Sequence, residues 1–203
     1  MFMKNAGRAV LALATMSLVA CGGNEEMVDG EAPSFAGEEL LTVQRGLTRA
    51  DVDYRAWQWV NVGMPYCQAA NGQWDSFCGY TCTRTGAANT AQWNPYRSDC
   101  SGLVSWAWGV AAPGWTTSTI FNDTNQTQRI GYWDIQMGDS ITTNGHTMIF
   151  HGWNADGSAR VFQERACGQR ASDNNILFTK RADGSLYWPA DGRTYWPTRK
   201  KVL

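Results

Sequence analysis

The six cysteines of this chain of 203 residues, at positions 21, 67, 78, 82, 100 and 167, constrain its fold more than any other feature. Cys21 ends an apolar run near the amino terminus, and Cys100 starts a helical pattern. The other four form an even set, which in an exported domain indicates two disulfides. These four are Cys67, Cys78, Cys82 and Cys167. The sequence leaves their pairing open, but we expect at least one bond within the Cys-rich loop over residues 67–97, because that loop has no hydrophobic periodicity of its own.

The first twenty residues have the pattern of a bacterial export signal. Lys4 and Arg8 precede an apolar run over residues 9–20, which is shorter than the roughly 20 residues that a bilayer span needs. The run ends in LVACG, which resembles the lipobox of bacterial lipoproteins, so we predict cleavage before Cys21 and lipidation of that residue. A plain secretory signal is the alternative. We therefore expect a lipid-anchored protein of the cell envelope, at the outer membrane if the cell is Gram-negative, because Gly22 rather than Asp follows the cysteine.

Composition divides the chain into three segments and excludes one class of partner. We predict a signal peptide over 1–20, a flexible acidic tether over 21–45 and one folded domain over 46–203. Hydrophobic residues make up 43% of the chain and aromatic residues 12%, which suffices for a core. Lys and Arg number 17 against 18 Asp and Glu, so no basic excess exists to bind nucleic acid. The 11 tryptophans indicate core packing or, alternatively, a groove that stacks on sugar or peptide.

Two helices are predicted from their capping residues. Thr48 is placed to cap a helix that starts at Arg49 and ends before Gly63 and Pro65. Asp99 is placed to cap a second helix, with apolar residues at helical spacing until Gly109. Cys100 then lies in the first turn of this second helix. The free amides and the positive dipole end there favour a thiolate, lower the pKa of the thiol and can stabilise an oxyanion. A buried cysteine that packs as a small hydrophobe is the alternative.

A run of strands follows the second helix. Gly138 and Asp139 form a turn before one strand, residues 142–145 form a polar loop, and residues 146–153 form the next strand. A turn over 154–158 leads to a third strand over 159–165. His146 thus begins a strand, as a candidate base or as an exposed structural histidine.

A metal site fits this pattern poorly. His146 and His151 are five residues apart, and on a strand such residues point to opposite faces, so they could hardly share a metal ion with Cys78 and Cys82. We expect neither a metal nor any other cofactor.

The segments DCSGLVSWAWG, MGDSI and GHTMIFHGW together resemble the NlpC-type cell-wall peptidases and the related CHAP amidases, which are papain-like cysteine hydrolases. Residues 63–66, GMPY, match an upstream motif of these families, and the resemblance covers roughly residues 49–166. It implies an α+β papain-like fold, with the nucleophile helix packed on a small antiparallel sheet. It also implies that Cys100 is the nucleophile, that His146 is the general base, and that Tyr66 and Ser101 contribute to the oxyanion site or the substrate wall.

A third residue should orient His146, and the strand over 159–165 offers two candidates. Alternation places Gln163 on one face and Glu164 on the other, so the pattern alone does not decide. NlpC-type sequences allow His, Asn or Gln there, whereas CHAP relatives often use Glu. We favour Glu164, because a carboxylate stabilises an imidazolium better than an amide does, and we keep Gln163 as the alternative.

The resemblance implies a hydrolase that cleaves an amide bond of peptidoglycan, in the stem peptide, as a monomer. A long segment between Tyr66 and Cys100 and the region after Cys167 depart from the family pattern and are expected to shape the groove. Two other functions fit the same pattern: a non-catalytic envelope-binding or assembly lipoprotein, and an amidase or transacylase that acts on a different amide.

Overall fold

The structure, a computed structural model, describes residues 46–202. The predicted signal peptide, the lipidation site Cys21 and the tether over 21–45 lie outside the described residues. Within them the protein is an α+β domain with few helices and one curled antiparallel sheet. No helix among residues 46–202 combines the length and the apolar character that crossing a bilayer requires.

The helices of the described residues are α1 (Arg49–Asn61), α2 (Cys100–Ala107) and α3 (Thr117–Asn122), with a 3-10 turn at Gly86–Ala88. The first two begin where their capping residues predict, and α3 was not predicted from the sequence. The Thr48 hydroxyl accepts a hydrogen bond from the Asp51 amide, and the Asp51 carboxylate accepts one from the Thr48 amide. This capping box confirms the predicted start of α1, whose buried face carries Val52, Ala56 and Trp59.

Ten strands lie in the described part of the chain. They are β1 (Trp74–Asp75), β2 (Tyr80–Thr81), β3 (Thr127–Arg129), β4 (Ser140–Thr143), β5 (His146–Trp153), β6 (Ala159–Gln163), β7 (Ser172–Ile176), β8 (Thr179–Lys180), β9 (Leu186–Trp188) and β10 (Arg193–Lys200). Strands β1 and β2 form a separate small hairpin in the Cys-rich loop. The others form one sheet in the order β7-β6-β5-β4-β10-β9-β8, with β3 paired to β10. All of these pairings are antiparallel.

Two strand boundaries differ from the sequence prediction. The loop predicted over 142–145 is only a tight turn, because Thr142 pairs with Thr147 and Thr143 pairs with His146. Gly145 has a φ of 115°, a conformation that glycine adopts without a steric cost. The third predicted strand ends at Gln163 and not at Arg165, because the pairing of β6 with β7 ends there.

The chain after Cys167, which the sequence left unplaced, completes the sheet. It supplies β7 beside β6 and also β8, β9 and β10. Strand β10 lies between β4 and β9, so the last strand of the chain is an interior strand of the sheet.

The sheet separates two cores. On one side, Trp59 of α1 and Leu103 of α2 pack with Ile149 of β5. On the other side, Met148 and Phe150 of the same strand join a second apolar cluster. The alternation along β5 thus fixes which residues face the helices.

Several tryptophans belong to the helix-side core, as one interpretation of the sequence predicted. Trp59, Trp93 and Trp106 contact one another with ring centroids 6.0 to 6.4 Å apart.

Two disulfides are present, as predicted. Cys67 is bonded to Cys82, which confirms a bond within the Cys-rich loop. Cys78 is bonded to Cys167 and joins this loop to the segment between β6 and β7. One disulfide therefore holds the residue directly after β2 to Cys67, next to Tyr66, and the other holds the turn between β1 and β2 to Cys167.

Candidate active site

The first turn of α2 explains each residue of the DCSG motif. Oδ1 of Asp99 accepts hydrogen bonds from the Gly102 amide at 2.6 Å and from the Ser101 hydroxyl at 2.8 Å. A Cβ atom on Gly102 would lie 1.9 Å from the carbonyl oxygen of Arg97, so only glycine fits at this position. The Ser101 side chain is buried and points toward Asp99, the capping residue of α2. The backbone amide of Ser101 hydrogen-bonds the side chain of Cys100.

Cys100 is the only cysteine with a free thiol among residues 46–202, and the residue is 6% exposed. Its sulfur lies 3.7 Å from Oγ1 of Thr117 and hydrogen-bonds the backbone of Thr147 on β5. Burial, followed by the nearby Asp99 carboxylate, raises the pKa of the thiol to about 11, against the opposing effect of the hydrogen bonds. The expectation that the helix start lowers this pKa is wrong, because desolvation outweighs the hydrogen bonds that favour the thiolate.

The imidazole of His146 is held by a chain of polar side chains on the sheet. Nε2 of His146 lies 3.0 Å from Oε1 of Gln163, and Nε2 of Gln163 donates to Oδ1 of Asn174 at 2.9 Å. The Ser172 hydroxyl also donates to that oxygen, at 2.6 Å. The Gln163 amide is thereby oriented with its oxygen toward the ring. The proton of neutral His146 then lies on Nε2, and Nδ1 keeps its lone pair.

Burial also controls the charge of His146. The side chain is 4% exposed, and its pKa is lowered to about 4, first by burial and then by the positive charges of Arg193 and Arg165. Together with the raised pKa of Cys100, this means that both groups are neutral at pH 7 before a substrate binds.

Glu164, the residue favoured from the sequence to orient His146, faces away from it. Consecutive residues of an extended segment point to opposite sides, and Gln163 takes the side of the histidine. Glu164 is fully buried among the helices, where its Oε2 accepts a hydrogen bond from Nε1 of Trp59 at 2.7 Å. Burial raises the pKa of its carboxyl well above the ordinary value. The contact to His146 is thus made by the alternative, Gln163.

Cys100 and His146 open onto adjacent parts of one cleft. Cys100 lines a cavity of about 370 Å³, here called the nucleophile cavity, and His146 lines a neighbouring cavity of about 480 Å³. Tyr66, Gln68 and Gly145 line both.

Tyr66, predicted as part of the substrate wall, therefore stands between the two cavities. Its hydroxyl accepts a hydrogen bond from Nε2 of Gln68 at 2.8 Å, and burial raises its pKa to about 12. The Tyr66 hydroxyl is thus a neutral group at the centre of the cleft.

Three further features of the cleft were not foreseen from the sequence. Arg193 at the start of β10 and Phe77 of the Cys-rich loop line the cavity beside His146, as does Arg165. Arg193 and Phe77 lie in segments without periodicity or a matching motif, so no local signal pointed to them.

Neither His151 nor the disulfide-bonded cysteines are available to bind a metal ion together with His146. Nδ1 of His151 lies 2.8 Å from Oδ1 of Asp53 on α1, whereas His146 contacts Gln163. One group of three potential metal ligands occurs among residues 46–202. It consists of Cys67, Asp75 and Cys82. The two cysteines of this group share a disulfide and offer no thiolates to a metal ion.

This arrangement suits nucleophilic chemistry on an amide or ester. A thiol lies at the start of a helix with free amides, next to a strand that begins with a histidine of fixed tautomer. Comparisons with protein families, with curated proteins and with solved structures give no match for this chain.

Proposed function

We propose that this protein is a cysteine hydrolase of the papain-like NlpC type, which cleaves an amide bond in the stem peptide of peptidoglycan. One observation carries the proposal. Cys100 and His146 line neighbouring cavities that share Tyr66, Gln68 and Gly145, and the ring of His146 is oriented by Gln163. A nucleophile, a base and an orienting group therefore come from α2, β5 and β6, in the order that the resemblance implies.

The first half of the reaction forms a thioester. The Cys100 sulfur attacks the carbonyl carbon of the amide while its proton passes to Nδ1 of His146. The amides at the start of α2 stabilise the negative charge that develops on the carbonyl oxygen. The C–N bond then breaks, and the imidazolium of His146 returns the proton to the leaving amine.

The second half regenerates the thiol. A water molecule loses a proton to Nδ1 of His146 and attacks the thioester carbonyl, and the sulfur leaves and recovers the proton. The product is the carboxylic acid of the acyl fragment. Throughout the cycle Gln163 accepts the Nε2–H bond, so the ring keeps the orientation in which Nδ1 faces the reaction.

Because Cys100 and His146 are both neutral in the free protein, the thiolate forms only when a substrate is attacked. Because the pKa of Cys100 is raised to about 11 and that of His146 is lowered to about 4, an ion pair is disfavoured in the free protein. Proton transfer is thus coupled to the attack on a bound substrate. This also protects the thiol from oxidation in an exported protein, since the thiolate is the reactive form.

The predicted export signal and the resemblance to cell-wall peptidases support peptidoglycan as the substrate. The lipobox-like leader would anchor the domain at a membrane that faces the cell wall. An amidase or transacylase on another amide would use the same groups. The buried, protonated Cys100 favours the second candidate function, a non-catalytic envelope-binding lipoprotein on the same fold.

Incubation of the purified protein with peptidoglycan, followed by mass spectrometry of the released fragments, tests the proposal. We expect fragments from the wild type and none from Cys100→Ala or His146→Ala. His151→Gln is the matched control, because His151 pairs with Asp53 outside the cleft and should leave cleavage intact. Binding to peptidoglycan without any cleavage would instead support the non-catalytic function.

A further inference from the structure

Two arginines line the cavity of about 480 Å³ beside His146, here called the arginine cavity. Arg165 follows β6, and Arg193 begins β10. Their side chains are 44% and 42% exposed, so both guanidinium groups remain accessible to a ligand. Neither group gives or takes a proton in the reaction described above, although the positive charges of both lower the pKa of His146.

Both guanidinium groups are held in place by aromatic rings and by one carboxylate. Arg165 lies over the ring of Trp188 at 4.7 Å, and Arg193 lies over the ring of Tyr195 at 5.7 Å. Arg193 also donates to Asp191 through Nε at 2.6 Å and through a terminal nitrogen at 2.8 Å. The terminal nitrogen of Arg165 lies 3.9 Å from the same carboxylate. The two cations are therefore positioned before any ligand binds.

The charges around this cavity do not balance. The residues that line it include Arg165 and Arg193 but neither an aspartate nor a glutamate. Asp191 lies behind them, and it already accepts hydrogen bonds from Arg193 and from the Tyr195 hydroxyl. Two positive charges against one carboxylate leave a net positive charge toward the cleft. Such a site favours an anion, and a planar guanidinium matches a carboxylate.

The chemistry of the cleft decides which part of the substrate reaches the arginine cavity. Cys100 keeps the acyl fragment as a thioester, in the nucleophile cavity. His146 delivers its proton to the leaving amine, and it lines the arginine cavity. The residue that supplies the leaving amine therefore extends past His146 toward the two arginines.

We propose that Arg165 and Arg193 bind a carboxylate carried by the residue on the amine side of the scissile bond. The preferred substrates are then peptide amides whose leaving residue has a free carboxylate. This inference rests on the proposed function, because the direction of the substrate follows from the role of His146. Phe77, on the Cys-rich loop, forms the apolar side of the same cavity, where it can pack against the carbon chain of that residue.

Binding of a carboxylate there would also assist the reaction. After burial, the positive charges of Arg193 and Arg165 are the next contributions that lower the pKa of His146, and the charge of Asp191 opposes them. A carboxylate bound between the arginines offsets their effect and makes protonation of the imidazole easier. The correct substrate would thus favour the proton transfer that the free protein disfavours.

Matched substrates test the inference. Soluble stem peptides from peptidoglycan are compared with the same peptides after their carboxylates have been converted to carboxamides. We expect kcat/KM of the wild type to fall at least about tenfold on the carboxamides, as for loss of a charged hydrogen bond. Arg193→Met and Arg165→Met should lower kcat/KM about tenfold on the carboxylate peptides, so that the ratio of kcat/KM on carboxylate peptides to that on carboxamides approaches one. Equal rates on both forms with the wild type would overturn the inference and leave the proposed function intact.

Control variants separate charge from folding. Arg181→Met is the matched control, because Arg181 also lies 4.7 Å over an aromatic ring, that of Tyr187, but does not line the cavity. Arg193→Lys keeps the positive charge but lacks the planar guanidinium, which can bind a carboxylate through two nitrogens. This variant should retain part of the preference for carboxylate peptides. Thermal melting confirms that each variant is folded. If Arg181→Met loses the preference as Arg193→Met does, the effect is not local and the inference is wrong.

A binding measurement distinguishes failure of the inference from failure of the proposed function. Cys100→Ala is titrated with both forms of the stem peptides by isothermal calorimetry, alone and combined with Arg193→Met. Tighter binding of the carboxylate form, lost with Arg193→Met, supports the anion site. If the wild type hydrolyses neither form while this binding difference persists, the proposed function fails and the anion site stands. Equal binding of both forms by Cys100→Ala would overturn the anion site.

Discussion

Nε2 of His146 and Oε1 of Gln163 lie 3.0 Å apart, and this contact fixes which ring nitrogen carries the proton of the neutral imidazole. Gln163 is 2% exposed and is itself held by Asn174 at 2.9 Å. Since a neutral imidazole donates through one nitrogen and accepts through the other, the bond to Gln163 leaves the lone pair on Nδ1. The orienting group is an amide, so it supports the imidazolium without a full counter-charge.

Gln163→Ala should lower kcat by about tenfold to a hundredfold, because the ring loses the acceptor that fixes its tautomer. The measurement is turnover of stem peptides across pH 5 to 9, with the folded state checked by circular dichroism. Glu164→Gln is the matched control, since Glu164 bonds to Trp59 and points away from His146. Loss of turnover in the Glu164 variant alone would contradict the assignment.

Gln163→Glu tests the same contact through charge. A carboxylate next to Nε2 should raise the pKa of His146 from its present value of about 4, because it stabilises the imidazolium. The acidic limb of the pH profile of kcat/KM should move to higher pH. An unchanged acidic limb would show that Gln163 does not control the protonation of His146.

Alkylation by iodoacetamide should report the neutral state of the free thiol. The pKa of Cys100 is raised to about 11, so the thiolate fraction and the labelling rate should rise about tenfold per pH unit between pH 7 and 10. N-acetylcysteine is the reference, with a rate that levels off above its ordinary pKa of about 8.5. Mass spectrometry should find the label only on Cys100 among residues 46–202, because the other four cysteines there are in disulfides. A rate that is constant from pH 6 to 9 would instead show a preformed ion pair.

The sequence predicted those parts of the fold and the candidate site that depend on local interactions. Thr48 and Asp99 cap α1 and α2 as their side chains and the following apolar periodicity indicate. The number of disulfides followed from an even count of cysteines, because Cys21 and Cys100 had separate explanations. In each case residues near one another in sequence, or a simple count, determine the outcome.

The parts that the sequence did not predict depend on contacts between distant segments. The raised pKa of Cys100 comes from burial, which outweighs the hydrogen bonds that favour the thiolate. The choice between Gln163 and Glu164 depends on which face of β6 meets the helices. Each face of that strand offered one hydrophobic residue and one residue that could orient His146, so the pattern was symmetrical. Arg193 reaches the cleft only because the last strand inserts beside β4.

The two disulfides should contribute unequally to stability. Cys67 and Cys82 are 15 residues apart, and Cys78 and Cys167 are 89 apart, so loop-closure entropy predicts contributions of about 3 and about 4.5 kcal/mol. Denaturant unfolding of the paired variants Cys67→Ala/Cys82→Ala and Cys78→Ala/Cys167→Ala measures both. The second pair should also raise KM, because that bond joins the loop of Phe77 to the segment after Arg165. A smaller loss of stability for the second pair would contradict the entropic argument.

Glu164→Gln should change how the stability of the protein depends on pH. The carboxyl of Glu164 is fully buried, and burial raises its pKa well above the ordinary value, while the bond from Trp59 and the charge of Arg84 oppose this. A raised pKa means that the folded state binds the proton more tightly than the unfolded chain does. The contribution of Glu164 to stability is therefore complete below the unfolded pKa of about 4.3, and it is lost as the pH rises toward the folded pKa.

The glutamine variant removes this titration and keeps the shape. An amide oxygen at the position of Oε2 can still accept the bond from Trp59. The melting temperature of the variant relative to the wild type should rise steadily between pH 4.5 and 8, and this is measured by thermal denaturation at each pH. Gln163→Ala should show no such trend, since Gln163 carries no titrating group. A difference between Glu164→Gln and the wild type that stays constant with pH would mean that Glu164 has the same pKa in the folded and unfolded chain.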